Sequence, residues 1–254
     1  MLFTLTAVLT AAGLFAGVLL FLEFGRRIGL RRLKQEVDGA GGGVVEGAVF
    51  ALLGLLIAFT FSGAAARFDD RRNLIVDEAN AVGTAYLRID LLPAAAQGEM
   101  RNLFRRYLDA RLAVYRALPD LEAAREHLAS SNRIQQEIWV RAVAESADSQ
   151  SARMLLLPAL NEMFDITTKR TMAAQAHPPD VVFGLLFVFA LCAALLAGSA
   201  MAWPESRRWL HSATFAFALA GSVYVIIDME FPRVGLIRVD SFDKVLVEVR
   251  RSME

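Results

Sequence analysis

Four long apolar runs decide what this chain can fold into. Met1–Leu22 and Val181–Trp203 carry no charged residue, Val44–Ala66 carries only Glu46 near its edge, and Ser212–Ile227 is the shortest. About 20 apolar residues in a helix cross a hydrocarbon core about 30 Å thick, because backbone groups that find no water there must bond one another within the segment. The runs therefore predict an all-α integral membrane protein with four transmembrane helices. Apolar residues make up 56% of the chain; their bunching, where a soluble helical domain would space them periodically, sets the class. The first run has no basic residue before it and no small-residue cleavage signal ahead of Arg26-Arg27, so it reads as a retained span rather than a leader.

The other bulk features mainly exclude. Lysine plus arginine and aspartate plus glutamate balance at 27 each, so no net field calls for a nucleic-acid partner. Cys192 is the single cysteine and lies inside the third run, which excludes an internal disulfide and a cysteine metal site. His127, His177 and His211 are scattered. The chain lacks a Gly-x-Ser-x-Gly turn, a phosphate-binding glycine loop and a His-Glu-x-x-His pair. The expectation is a protein that is not an enzyme and uses no metal or cofactor.

Four regions follow: 1–66 with the first two spans and a basic connecting loop, an extramembrane helical domain at 67–179, the last two spans at 180–229, and a tail at 230–254 with a short amphipathic helix. The loop is expected over Glu23–Gly43, with Arg26, Arg27, Arg31, Arg32 and Lys34 before the glycine-rich run 39–43. The second span has no proline before Pro93 and predicts one helix running on to about Leu91. Phe68, Ile75, Ala79, Val82, Tyr86 and Ile89 form a packing seam along it. Further helices are expected at about 97–118, from Pro119-Asp120 to Ala147, and over 151–176 with Pro158 as a candidate kink, ending at His177-Pro178-Pro179. Asp180 is expected to cap the third span, and Asp240-Ser241 the tail helix.

Basic residues in the two short loops, including Arg207 and Arg208, place those loops in the cytoplasm and the helical domain outside. Three groups of residues are candidates for function. Leu52, Leu55, Phe59 and Ser62 share one face of the second span; they read either as helix packing or as an apolar ring that gates by dewetting. Arg67, Asp69 and Arg71 read either as a solvated face or as a charged vestibule beyond the span. Asp228, Glu230 and Arg233 form a polar cluster at the membrane edge, where an ionic group needs a partner.

Leu52–Gly63, followed by Arg67-Phe68-Asp69-Asp70-Arg71 and Glu78-Ala79-Asn80, resembles the bestrophin-like family of bacterial membrane proteins. So do His177-Pro178-Pro179 and the run Asp228–Asp240. The resemblance covers nearly the whole chain. It implies a homo-oligomeric anion channel, a pentamer by that resemblance, in the bacterial inner (plasma) membrane, with the second span lining the pore and Leu55 and Phe59 at neck positions. Gly63 stands where the family has a larger neck residue. The acids Asp228, Glu230, Asp240 and Asp243 are dispersed among arginines and do not reproduce the dense acidic run that binds calcium in animal members. The resemblance also implies a cytoplasmic helical domain, against the charge rule, so orientation stays open. A second reading is a non-conducting membrane scaffold or sensor whose helical domain binds a protein partner.

Overall fold

The computed structural model describes residues 2–34, 42–201 and 209–254. Residues 35–41 of the expected loop, Gly39 and Gly41 among them, and the loop arginines Arg207 and Arg208 lie outside the described residues. The order of elements is α1 (Leu2–Lys34), α2 (Gly42–Leu87), a 3-10 turn at Arg88–Leu91, α3 (Ala94–Ala117), α4 (Leu121–Glu145), α5 (Gln150–Gln175), α6 (Asp180–Ala200), α7 (Trp209–Glu230), a 3-10 turn at Asp240–Asp243, and α8 (Lys244–Arg251). The described residues contain no strand. Among the described residues four helices are long and apolar enough to cross a membrane, and the protein is an all-α multi-pass membrane protein.

Several local expectations change. The segment Glu23–Lys34 is not loop but the continuation of α1; it contains no proline, and its arginines and leucines are good helix formers. α2 ends at Leu87 and tightens into the 3-10 turn before Pro93. Pro158 sits inside an unbroken α5. Asp180 is the first residue of α6 and makes no cap; Pro179 holds the capping position without a side-chain bond. The fourth span is longer than its apolar run, because Asp228, Met229 and Glu230 stay helical. Asp120 does cap α4, its carboxylate accepting from the Glu122 and Ala123 amides at 3.1 Å each.

The chain divides into two compact units. The first contains residues 1–66, 177–231 and 235–237. Its core joins Leu14, Val18 and Leu22 of α1, Leu53 of α2, Leu186, Ala190 and Ala193 of α6, and Ala216, Leu219 and Val223 of α7. α1 and α6 meet through two glycines. A Cβ on Gly25 would strike the Leu195 carbonyl, and one on Gly198 would strike Leu22 backbone. Lipid tails are as apolar as leucine, so helices associate in a bilayer by close van der Waals approach, which small residues permit.

The second unit contains residues 67–176, 232–234 and 238–254. Ile75, Ala79, Val82 and Ile89 of the predicted seam are buried there with Phe104, Tyr107, Leu108, Ile138, Leu160 and Met163. α8 docks on α3 by a two-bond pair from Arg250 to Asp109, at 2.8 and 3.2 Å.

Candidate functional site

α2 presents two different faces. Leu53, Thr60 and Ala64 are its buried residues before position 67. On another face Leu52, Leu55, Phe59 and Ser62 recur at spacings of three and four and are all exposed, Phe59 to 68%. In its most apolar membrane-length segment α2 buries 6% of its residues, against 22%, 28% and 28% in the other three spans. The same spacing carries the exposed stripe onward through Ala66, Asp70, Asn73, Asp77, Asn80 and Thr84. From Leu52 to Phe59 the stripe is apolar; from Asp70 to Thr84 it is polar.

The three vestibule candidates do not share that stripe. Asp69 is exposed and pairs with Arg72 at 2.9 Å. Arg71 is buried, and its guanidinium donates to the carbonyls of Ala173 and Ala176 at 3.0 and 2.9 Å. It thus serves the open carbonyls at the end of α5. Arg67 is half-buried.

The buried face of α2 carries an acidic group outside the three candidate sets. Glu78 is fully buried and accepts from Arg111 at 2.7 Å and from Arg170; the Tyr115 hydroxyl lies 3.3 Å from it. Arg170 also approaches Asp243 at 3.9 Å, and Arg233 bonds Asp243 through both terminal nitrogens. Arg233 reaches Asp240 at 3.0 Å, and Arg238 completes the row at 2.7 Å from Asp240. Charges alternate along the whole chain: Arg111, Glu78, Arg170, Asp243, Arg233, Asp240, Arg238. Side-chain exposure rises from 0% at Glu78 through 6% at Arg170 and 18% at Asp243 to 41% at Asp240 and 54% at Arg238. The Tyr115 ring lies under three of the guanidiniums, 4.0 Å from Arg170, 4.8 Å from Arg233 and 5.3 Å from Arg111. Burial raises the Glu78 carboxyl pKa, but Arg111 and Arg170 outweigh burial and hold it below the ordinary glutamate value. Burial, then the Glu78 charge, pushes Tyr115 up to about 12.

A signal for this cluster was present. Glu78 falls at the spacing of the Ile75–Val82 seam, and Arg111 stands three residues after Leu108 and four before Tyr115, on one face of α3. A charge at seam spacing needs a buried counter-charge.

The membrane-edge residues separate by partner. Asp228 is buried and accepts from the Leu236 amide at 2.9 Å and the Ile237 amide at 2.7 Å. Gly235 is needed beside it, since a Cβ there would run into the carboxylate. Glu230, also buried, lies 3.4 Å from the His177 ring, which stacks on Phe231 at 4.5 Å. Arg233 belongs to the alternating row.

A model of the Bestrophin-like domain matches residues 12–241. Crystal structures of a bacterial Bestrophin homolog from Klebsiella pneumoniae share the fold. One point variant aligns at 15% identity and TM-score 0.67, over 94% of this chain and 98% of that one. A second variant aligns at 16% identity and TM-score 0.65 over the same shares. The same homolog, phased with zinc, aligns at 16% and 0.62, over 93% and 97%. Comparison with curated proteins returns no match. With 230 of 254 residues inside the family model (12–241 inclusive) and the same fold in solved bestrophin homologues, the chain belongs to the Bestrophin-like family.

Proposed function

We propose that this protein is the subunit of a homo-oligomeric ion channel, a pentamer as its family resemblance implies, in the bacterial plasma membrane. The α2 helices face a common axis, with Leu52, Leu55 and Phe59 as an apolar constriction and Ser62 beyond them. The observation that carries this reading is the α2 stripe: it lies on the least buried of the four spans among the described residues and continues into polar side chains that require water. A ring of such side chains narrows a pore by dewetting, and rotation of α2 would open it.

The resemblance implies an anion as the conducted ion; Arg67 and Arg71, expected to supply positive potential, lie off the stripe, Arg71 buried against the end of α5. A cation is the second reading, favoured by Asp70 and Asp77 on the stripe and by the Ala173 and Ala176 carbonyls that engage Arg71. A ring of carboxylates concentrates cations at a pore mouth.

Planar-bilayer recording of the purified protein under a salt gradient tests both. Current is expected, with a conductance changed by Phe59→Ala and a reversal potential whose sign names the ion class. Silence from folded, inserted wild type and from Phe59→Ala would overturn the channel and favour the scaffold reading.

A further inference from the structure

We infer that Leu236 and Ile237 form a membrane-surface anchor, the tip of a loop that enters the headgroup–acyl boundary of the bilayer at the end of α7. The inference needs only the membrane fold and stands apart from the channel reading. α7 has 22 residues, about 33 Å at 1.5 Å per residue, enough to cross a hydrocarbon core with little to spare. Its last turn, with Asp228 and Glu230, therefore lies at the membrane edge. After Glu230 the chain turns back on that last turn. The Gly235 amide donates to the Phe231 carbonyl at 3.1 Å, and the Leu236 and Ile237 amides reach the Asp228 carboxylate. A tip bonded to a side chain of the last turn stands level with the end of the span. Residues 235–237 accordingly group with the spans in the first compact unit.

Leu236 is 73% exposed, and Ile237 is exposed beside it. Among the described large apolar side chains only Val44, Val181 and Phe217 are as uncovered, and those three lie on the membrane-spanning helices. A backbone amide that loses water without gaining a partner opposes insertion into lipid. The two amides at this tip do not bring that cost. Asp228 accepts from Leu236 with both oxygens, at 2.9 and 3.0 Å, and from Ile237 at 2.7 Å. The carboxylate is itself buried, so the bonds do not depend on water. Arg238, next in the chain, pairs with Asp240 at 2.7 Å, so no lone charge adjoins the tip. Tyr224, one turn before Asp228, directs its hydroxyl to the same carboxylate at 3.4 Å; a ring with one polar end is the kind that concentrates at bilayer interfaces.

The test uses the full chain in phosphatidylcholine vesicles. Cys192 is the single cysteine, so a Cys192→Ala background accepts one nitroxide label at a time. Labels go on Leu236→Cys, on Phe217→Cys as the lipid reference, and on Gln150→Cys, exposed at the start of α5, as the water reference. Electron paramagnetic resonance reads collision with oxygen, which partitions into lipid, and with a nickel chelate, which stays in water. The oxygen-to-nickel ratio at Leu236→Cys is expected on the side of Phe217→Cys, well above that of Gln150→Cys. A ratio equal to that of Gln150→Cys would put the tip in water and overturn the anchor. Little collision with either reagent would mean that a second copy of the chain covers the tip, and would overturn the lipid. Asp228→Ala frees the two amides, and the Leu236→Cys ratio should then fall toward the water value. An unchanged ratio in folded Asp228→Ala would overturn the part given to the carboxylate. If Asp228→Ala does not fold, the three labels alone decide, since each replaces an exposed side chain.

Discussion

The two halves of α2 are built by opposite rules. Up to Ala66 the helix buries only Leu53, Thr60 and Ala64 among the described residues; from Arg67 to Leu87 it buries Arg71, Ile75, Glu78, Ala79, Ala81, Val82 and Ala85. The first half depends on surroundings outside its own chain. The second is fixed by the chain itself, through an apolar seam with one carboxylate in its middle. The contrast follows from solvent. In a bilayer an uncovered leucine costs nothing, so exposure there is free. In water an apolar seam drives its own burial at about 25 cal/mol per Å², and a carboxylate on that seam must be neutralised by hydrogen-bonded partners.

The largest effect should come from breaking the fixed half. Glu78→Gln keeps the shape but leaves Arg111 buried without its counter-charge and Arg170 with Asp243 alone, at 3.9 Å. Removal of one partner from a buried pair costs about 3–5 kcal/mol, a large part of a domain's stability. Denaturant unfolding of the full protein, followed by helical signal, should show the midpoint fall. An unchanged midpoint would mean that the seam alone fixes the second half. Next in size is Gly198→Leu. Its side chain meets Leu22 backbone, which cannot yield as a flexible side chain would, and overpacking costs about 1–3 kcal/mol. A wild-type unfolding temperature would show that α1 and α6 separate easily, and with it that the first unit is loosely held throughout.

Acid should act on the second half more than the first. The folded Glu78 pKa lies below its ordinary 4.5. Its contribution is therefore complete above about pH 4.5 and is lost as the pH falls through the folded value, because the unfolded chain then binds the proton first. Unfolding measured from pH 7 downward should show stability dropping below that point in wild type and a flatter profile in Glu78→Gln. Equal slopes in the two proteins would assign the acid sensitivity to other carboxylates.

How far the sequence disclosed this contrast depends on the residue. The four spans were legible because about 20 apolar residues in a row leave no alternative, and the seam because spacings of three and four recur from Ile75 to Ile89. The exposed face of Leu52, Leu55 and Phe59 was legible as a face. Which of several apolar faces stays uncovered was not, since in lipid composition no longer separates inside from outside. The burial of Arg71 and Glu78 was not legible for a different reason. Interleaved acids and bases look alike whether each pairs with a neighbour on its own helix, as Asp69 does with Arg72, or with a residue 33 or 92 positions away, as Glu78 does. Long-range pairing leaves no local mark except a charge at seam spacing. In Glu23–Lys34 the charges and neighbouring glycines carry a loop's composition, while the helix propensity of its arginines and leucines decides the structure.

The smallest effect on stability is expected at Phe59, and it sharpens the comparison most. Phenylalanine to alanine in a core costs about 3–5 kcal/mol; at a side chain 68% exposed within its own chain the fold should lose under about 0.5 kcal/mol. If α2 met only lipid, assembly and conductance would be equally indifferent, because lipid tails replace the ring at no cost. If α2 faces copies of itself around water, the alanine widens an apolar ring and conductance changes while the unfolding temperature does not. Unfolding and bilayer recording on the same Phe59→Ala preparation therefore separate the two environments: a large loss of stability would mean that the uncovered half of α2 is packed within its own chain after all.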